Sequence, residues 1–390
     1  MSNDASDIKP SAHKPTVYRH FHRIAWLAVA LALCVIVFGA FVRLSNAGLS
    51  CPDWPTCYGR ATWPTVIAEV NHPTALDVRP LEVSKAWREQ VHRHAAAVLG
   101  ALVLLLALFA ARRRRFGIAQ ILLAAGLISV GIPLYMRGMH DAAIACAVLG
   151  EIILLIAALR WNNDDLSRVA TFTLMLIVFQ ALLGMWTVTM LLKPVIVMGH
   201  LLGGMATFSM LTWMAWRATG SPVRIAGVNA MRGWLVGAVV VVGIQIALGG
   251  WVSANYAALA CGNDFPTCVG RWVPPHDFRE GFVLWRGVGV DYEGGVLDGA
   301  SRIAIQLAHR MMAVVVFVYL LWMALKLIRT PGLWLTGIVL GVLMLAQVGL
   351  GIANVVLGLP LWTAVLHNGG AALMLFLLVG LLARLRRPTV

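Results

Sequence analysis

The sequence predicts an all-α integral membrane protein of about ten transmembrane helices. It predicts two tandem four-helix bundles related by internal duplication, plus an inserted helical hairpin. Three observations lead there. The 390-residue chain is 60% hydrophobic and 12% charged, against about 25% charged in soluble domains. Apolar runs of roughly 20 residues, enough to cross a hydrocarbon core of about 30 Å, recur from end to end. A set of sequence marks in the first half also returns, in the same order, in the second.

The runs fall near 24–42, 93–111, 117–136, 142–160, 169–190, 195–215, 233–253, 303–325, 333–356 and 361–383. A net charge of +14 could point to nucleic acid, but its distribution points to topology. Basic residues gather on alternate connections: "YRHFHR" before the first run, "RRRR" at 112–115, "RIAGVNAMR" at 224–232 and "RLRR" near the end. This is the positive-inside pattern, which puts both termini in the cytoplasm and calls for no nucleic-acid partner. Residues 1–23 are polar and lack a signal-peptide pattern, so they are expected to be a cytoplasmic tail ahead of an uncleaved first helix.

The repeat is specific in detail. "GAFVRLSNAGLSCPDWPTCYG" at 39–59 matches "GGWVSANYAALACGNDFPTCVG" at 249–270, and "VHRHAAAVLG" at 91–100 matches "AHRMMAVVVF" at 308–317. "QALLG" at 180–184 matches "QVGLG" at 347–351, and a histidine follows each glutamine by 20 residues, at His200 and His367. His92 and Gln180 are 88 residues apart, whereas His309 and Gln347 are 38 apart. The excess falls at about 115–165, where two helices lack counterparts. The expected units are therefore 24–216, carrying that inserted pair, a cytoplasmic linker at 217–232, and 233–390. Each unit starts on the same side, so the repeats are parallel.

Eleven histidines are present. Most unmatched ones (His13, His20, His22, His72, His140, His276) fall in polar segments or connections. The matched four, His92, His200, His309 and His367, lie one to two turns inside helices, where ionisable residues are rare and functional by default. Histidines on facing helices of a bundle commonly build a cofactor site. Two imidazoles without a nearby thiolate suit the axial positions of haem iron, whereas zinc normally needs three or four protein ligands. Within "EQVHRHA", Glu89 and His92 share a helix face, and His94 lies about 200° round from His92. His92 is thus the ligand candidate and His94 a packing or interfacial residue. Arg93 and Arg310 are candidates for haem propionates or for lipid headgroups. Where the first half has Glu89, the second has Gln306. An acid beside one iron and an amide beside the other points to chemistry at the first and a retained cofactor at the second; alternatively, Glu89 merely reaches the outer surface.

Cys51 and Cys57, and Cys261 and Cys268, lie in long loops facing away from the cytoplasm. In an oxidising compartment each pair is expected to form a disulfide; a zinc site of all four would require the loops to meet. Cys34 and Cys146 read as small buried residues. Glu151, inside the inserted hairpin, is an intramembrane acid with no evident partner.

These marks together resemble the membrane haem A synthase family: "ExxHR" at Glu89–Arg93, "GLSCPDWPTCYG" at 48–59, "LLKPVIVMGHLLGG" at 191–204, and the second-half "HR" and "LHNGG". The resemblance runs from residue 24 onward, and the hairpin departs from the family's usual eight-helix plan. It implies oxidation of the C8 methyl of haem O to the formyl group of haem A, by successive hydroxylation and loss of water. It also implies a cofactor haem b between His309 and His367, substrate haem O between His92 and His200, a catalytic role for Glu89, and the family's loop cysteine pair at Cys51 and Cys57. Haem O synthase and cytochrome oxidase assembly are the implied functional partners, and the bacterial inner membrane the implied location, with the haem sites toward the periplasm; a homo-oligomer is left open. The rival readings are a di-haem electron-transfer cytochrome, which normally wants haems near both faces, and a haem carrier, which does not need Glu89.

Overall fold

The computed structural model describes residues 18–386. Residues 1–17 and 387–390 lie outside it, and with them His13, most of the expected tail and the last arginine of the C-terminal basic run. Twelve helices follow in order: α1 (Phe21–Leu44), α2 (Ala75–Val78), α3 (Val83–Ala111), α4 (Gly117–Met136), α5 (His140–Arg160), α6 (Ser167–Thr189), α7 (Pro194–Thr219), α8 (Val228–Ala254), α9 (Phe278–Gly281), α10 (Gly299–Ile328), α11 (Trp334–Val356) and α12 (Leu361–Arg384). All except α2 and α9 are long and apolar enough to span a membrane, so this is a multi-pass membrane protein.

Neighbour relations define two rings. Around the first, α1 packs on α3, α3 on α6, α6 on α7, and α7 returns to α1; around the second the order is α8, α10, α11, α12. α3 and α7 are therefore diagonal partners in one ring, and α10 and α12 in the other. The rings meet where α7 and α1 pack on α12 and α7 packs on α8. α4 and α5 form a hairpin outside the first ring, with α5 against α6 and α4 against α3. At its root Arg114 donates to Asp165 (2.8 Å) and Ser167 (3.0 Å), so part of the arginine run also clamps the structure.

Local chemistry sets several helix ends. Pro194 opens α7, where its missing N–H costs nothing. Gly220, at φ 72°, closes the same helix in the left-handed region. Asp298 caps α10 by accepting from the Ser301 N–H. The link after α7 is tied to the end of the chain, since β1 (Val223–Arg224) pairs in parallel with β2 (Leu385–Arg386).

Three helix starts differ most from the hydropathy reading. α3 begins at Val83 rather than 93, α8 at Val228 rather than 233, and α10 at Gly299 rather than 303. An apolar window stops at the first charges, but Lys85, Arg88 and Glu89 are good helix formers, and the helix continues through them. His92 and His309 consequently lie more than two turns inside their helices, not one to two.

Candidate functional site

The four matched histidines open onto one continuous cavity of about 1900 Å³. Single small-molecule sites usually measure about 300–1,000 Å³, so this space accommodates more than one large ligand. His92 on α3 and His200 on α7 approach it from diagonal helices, as do His309 on α10 and His367 on α12.

The other diagonal of each ring explains how the imidazoles fit. A Cβ on Gly39 of α1 would stand 2.7 Å from the His92 ring, and one on Gly184 of α6 would stand 3.1 Å from His200. In the second ring, Gly249 of α8 and Gly351 of α11 lie under His309 and His367, each with a prospective contact of 3.2 Å. Glycine in a helix costs about 1 kcal/mol relative to alanine. Here the missing side chain leaves room for a ring.

A second repeated device fixes the backbone. Gln180 Nε2 donates to the His200 carbonyl (2.5 Å), and Gln347 Nε2 to that of His367 (2.6 Å). These glutamines reach across because Gly203 and Gly370, each three residues after the histidine, would overlap them if they carried a Cβ. The marks "QALLG…HLLGG" and "QVGLG…HNGG" thus encode one contact: glutamine to the histidine carbonyl, glycine under the ring, glycine under the amide. Gln245 plays a related part only in the second ring. Its Nε2 lies 3.2 Å from His309 Nδ1 and 3.2 Å from the His309 carbonyl. The glutamines appear in the sequence as repeat marks, and the glycines sit at the ends of the matched segments. Their roles were missed because they depend on contacts between helices.

His92, His200 and His367 each leave a ring nitrogen buried without a hydrogen-bond partner among the described residues. Such a group costs about 1–3 kcal/mol unless something in the cavity engages it. Imidazoles from diagonal helices, over an apolar cavity of this size, fit an iron porphyrin held on both faces.

Glu89 does not reach the outer surface. It is 4% exposed, its Oε1 accepts from Arg93 (2.6 Å), and its Oε2 accepts from the Cys51 N–H (2.8 Å). Arg93 also donates to the carbonyls of Cys51, Asp53 and Thr56. Arg310 similarly donates to Asp264 O (2.9 Å) and Thr267 O (2.8 Å). Both arginines therefore hold down the loops that carry the cysteine pairs. Gln306 takes the place of Glu89 in the second ring and donates to Ala258 O (3.1 Å). His94 turns from the imidazole pair to Ala61 O (3.0 Å).

The loop cysteines form two disulfides, Cys51–Cys57 and Cys261–Cys268, so the four do not make a zinc site. The first disulfide is anchored against the acid through the Cys51 N–H. Cys34, expected to be buried, is exposed. Glu151 lines the hairpin side of the cavity, with Oε1 buried and unpaired.

Comparison with known proteins shows the family. The family model COX15-CtaA, described as cytochrome oxidase assembly protein, matches residues 22–133 and 141–379. The chain is 37% identical over 366 residues to a heme A synthase of Shewanella oneidensis, covering 92% of this chain and 95% of that one. It is 32% identical to a heme A synthase of a Caulobacter species over 54% of this chain and 60% of that protein. The chain belongs to the COX15-CtaA family of cytochrome oxidase assembly proteins.

Proposed function

We infer that this membrane protein is a haem A synthase, an oxidoreductase that converts haem O to haem A for terminal oxidase assembly. The observation that carries the residue-level reading is the buried carboxylate of Glu89, one helical turn from one imidazole pair only.

In the reading proposed here, His92 and His200 hold substrate haem O, and His309 and His367 hold a cofactor haem b. Haem iron bound at these histidines would supply the redox chemistry for oxidising the C8 methyl of haem O to a formyl group. The chain supplies placement. Gly39 and Gly184 let two imidazoles reach the centre of the first ring, and Gln180 fixes the His200 backbone. Arg93 and the Cys51 N–H hold both oxygens of Glu89, so the carboxylate is aimed before substrate arrives. Turning a C–H into a C–O bond requires the carbon-bound proton to be taken up by some group, and the Glu89 carboxylate is the base positioned beside the His92–His200 pair to take it. Arg93 and Arg310 are proposed to meet haem propionates while keeping the loops in place: Arg310 has N–H groups to spare beyond its two loop carbonyls, whereas Arg93 offers only its Nε–H unless a propionate displaces a loop carbonyl.

The two rings are read as products of an internal duplication, comprising units 24–216 and 233–390 about the linker 217–232. Their common neighbour order and common glycine and glutamine devices support this. Both termini are proposed to be cytoplasmic, in a bacterial inner membrane, with the haem sites toward the periplasm. Haem O synthase is the proposed supplier of substrate.

The test uses a host that makes haem O but no haem A. Wild-type chain should yield haem A in extracted pigments. Glu89→Gln should keep its bound haem while conversion falls about 10²–10⁴-fold, the usual contribution of a positioned acid or base. Undiminished haem A from that variant would remove Glu89 from the chemistry. Bound haem with no haem A from wild type would favour a carrier or an electron-transfer cytochrome.

A further inference from the structure

The cavity does not stop at the histidines. It continues down the face of α3 past Ala97, Gly100 and Ala101 to Leu104, between α3 and α6, with α4 and α5 as its far wall. Leu104 lies 12 residues, about 18 Å, beyond His92 along the helix. The hairpin side is formed by residues such as Ala125, Ile128, Ala147 and Leu155.

Two observations show that this space is not incidental. First, Gly100 does not serve close helix packing, because a Cβ added there would meet nothing within 4 Å. The same is true of Gly126 on α4. Second, the matched positions in the other ring are large. Counting from the ligand histidines, Ala97, Gly100 and Ala101 correspond to Val314, Phe317 and Val318. Phe317 packs against the core there, and no hairpin stands beside α10. One ring thus has a walled apolar groove running away from its imidazole pair; in the other, Phe317 occupies the glycine position, and Val314 and Val318 lie 64% and 61% exposed on a face that no hairpin covers.

The two haems proposed above differ in the same way. Haem O carries a long farnesyl-derived chain where haem b carries only a vinyl group. Resting on that assignment, we propose that the groove between α3, α6 and the inserted hairpin α4–α5 binds the isoprenoid tail of the substrate, and that Gly100 makes room for it. The hairpin then supplies a wall for a hydrocarbon chain that would otherwise lie in the bilayer. The groove is continuous with the His92–His200 site, which is what commits it to a tail attached to that porphyrin rather than to a free lipid. Glu151 lies on the same wall, and its carboxyl has no part in holding a hydrocarbon chain.

The test is Gly100→Phe, which installs the residue found at the matched position. Purified protein, with haem b retained, is titrated with haem O and separately with tail-less iron protoporphyrin IX, followed by the change in haem absorption. Wild type should prefer haem O. Gly100→Phe should lose affinity for haem O by at least about tenfold, since even two buried methylene groups are worth that much, while binding the tail-less haem as before. Ala147→Phe fills the groove from the opposite wall and should act alike; unchanged binding of the tail-less haem reports that the first ring is folded in either variant, and retained haem b that the second is. Unchanged haem O affinity in both would assign the groove to a bilayer acyl chain and overturn the proposal; equal loss of both haems would overturn it too, by placing the effect at the porphyrin. A wild type that binds neither haem at this site would strike the haem assignment itself, and the tail groove with it.

Discussion

The two rings use the same scaffold and differ in what surrounds it. Each places histidines on diagonal helices, a glycine under each ring, and an arginine reaching up to loop carbonyls beside a disulfide. The first ring has Glu89 where the second has Gln306. At the position of Gln245, which stands at the His309 ring, the first ring has Val35. The loops diverge likewise: Tyr58 is fully buried under the first, whereas its counterpart Val269 is 59% exposed. The histidine geometry is therefore common to both rings, and what distinguishes them lies one turn away: a fixed carboxylate in the first, amides in the second, which is the ground for the unequal roles proposed for them.

The closest of the glycine–imidazole contacts offers the largest effect by which to break the comparison. Gly39→Ala puts a methyl 2.7 Å from the His92 ring, and Gly249→Ala puts one 3.2 Å from His309. Overpacking of this kind costs roughly 1–3 kcal/mol. Gly39→Ala should therefore depress haem A formation by tenfold or more with haem b retained, and Gly249→Ala should do less, acting on haem b content. Equal and negligible effects at both positions would mean that the rings are not cradled.

A smaller effect sharpens the difference between the loops. Tyr58 donates to the carbonyls of Arg79 and Pro80 (both 3.2 Å). Burial first, and then the carboxylates Glu89, Asp53 and Glu82, push its phenol up to about 12 from an ordinary 10. The neutral form is the one favoured in the fold, so its contribution is fully present below pH 10 and is lost as pH rises through about 12. In the phenolate absorption difference between wild type and Tyr58→Phe, no signal should develop near pH 10. A transition at pH 10 would show that the loop over Tyr58 is open to water.

Much of the fold was legible because membrane spanning imposes length and apolarity, and ten such helices are present. The histidines stood out because an ionisable residue inside an apolar run is costly and these four recur in register. The true start of α3 was hidden, since hydropathy registers lipid contact and not helicity. The cradle glycines and the contact of Gln245 were hidden for another reason. A glycine in a sequence says only that a side chain is missing, and the imidazole that occupies the space lies on a different helix. The path of Arg93 to three loop carbonyls was likewise invisible, because it depends on a loop folding back over the helix end.

The most direct test of two unequal haem sites is the pigment content of His200→Ala and His367→Ala, extracted and separated by chromatography after expression with haem O. His367→Ala should lose haem b. His200→Ala should retain haem b and make no haem A. Loss of haem b from His200→Ala, with haem b intact in His367→Ala, would contradict the division of labour between the rings.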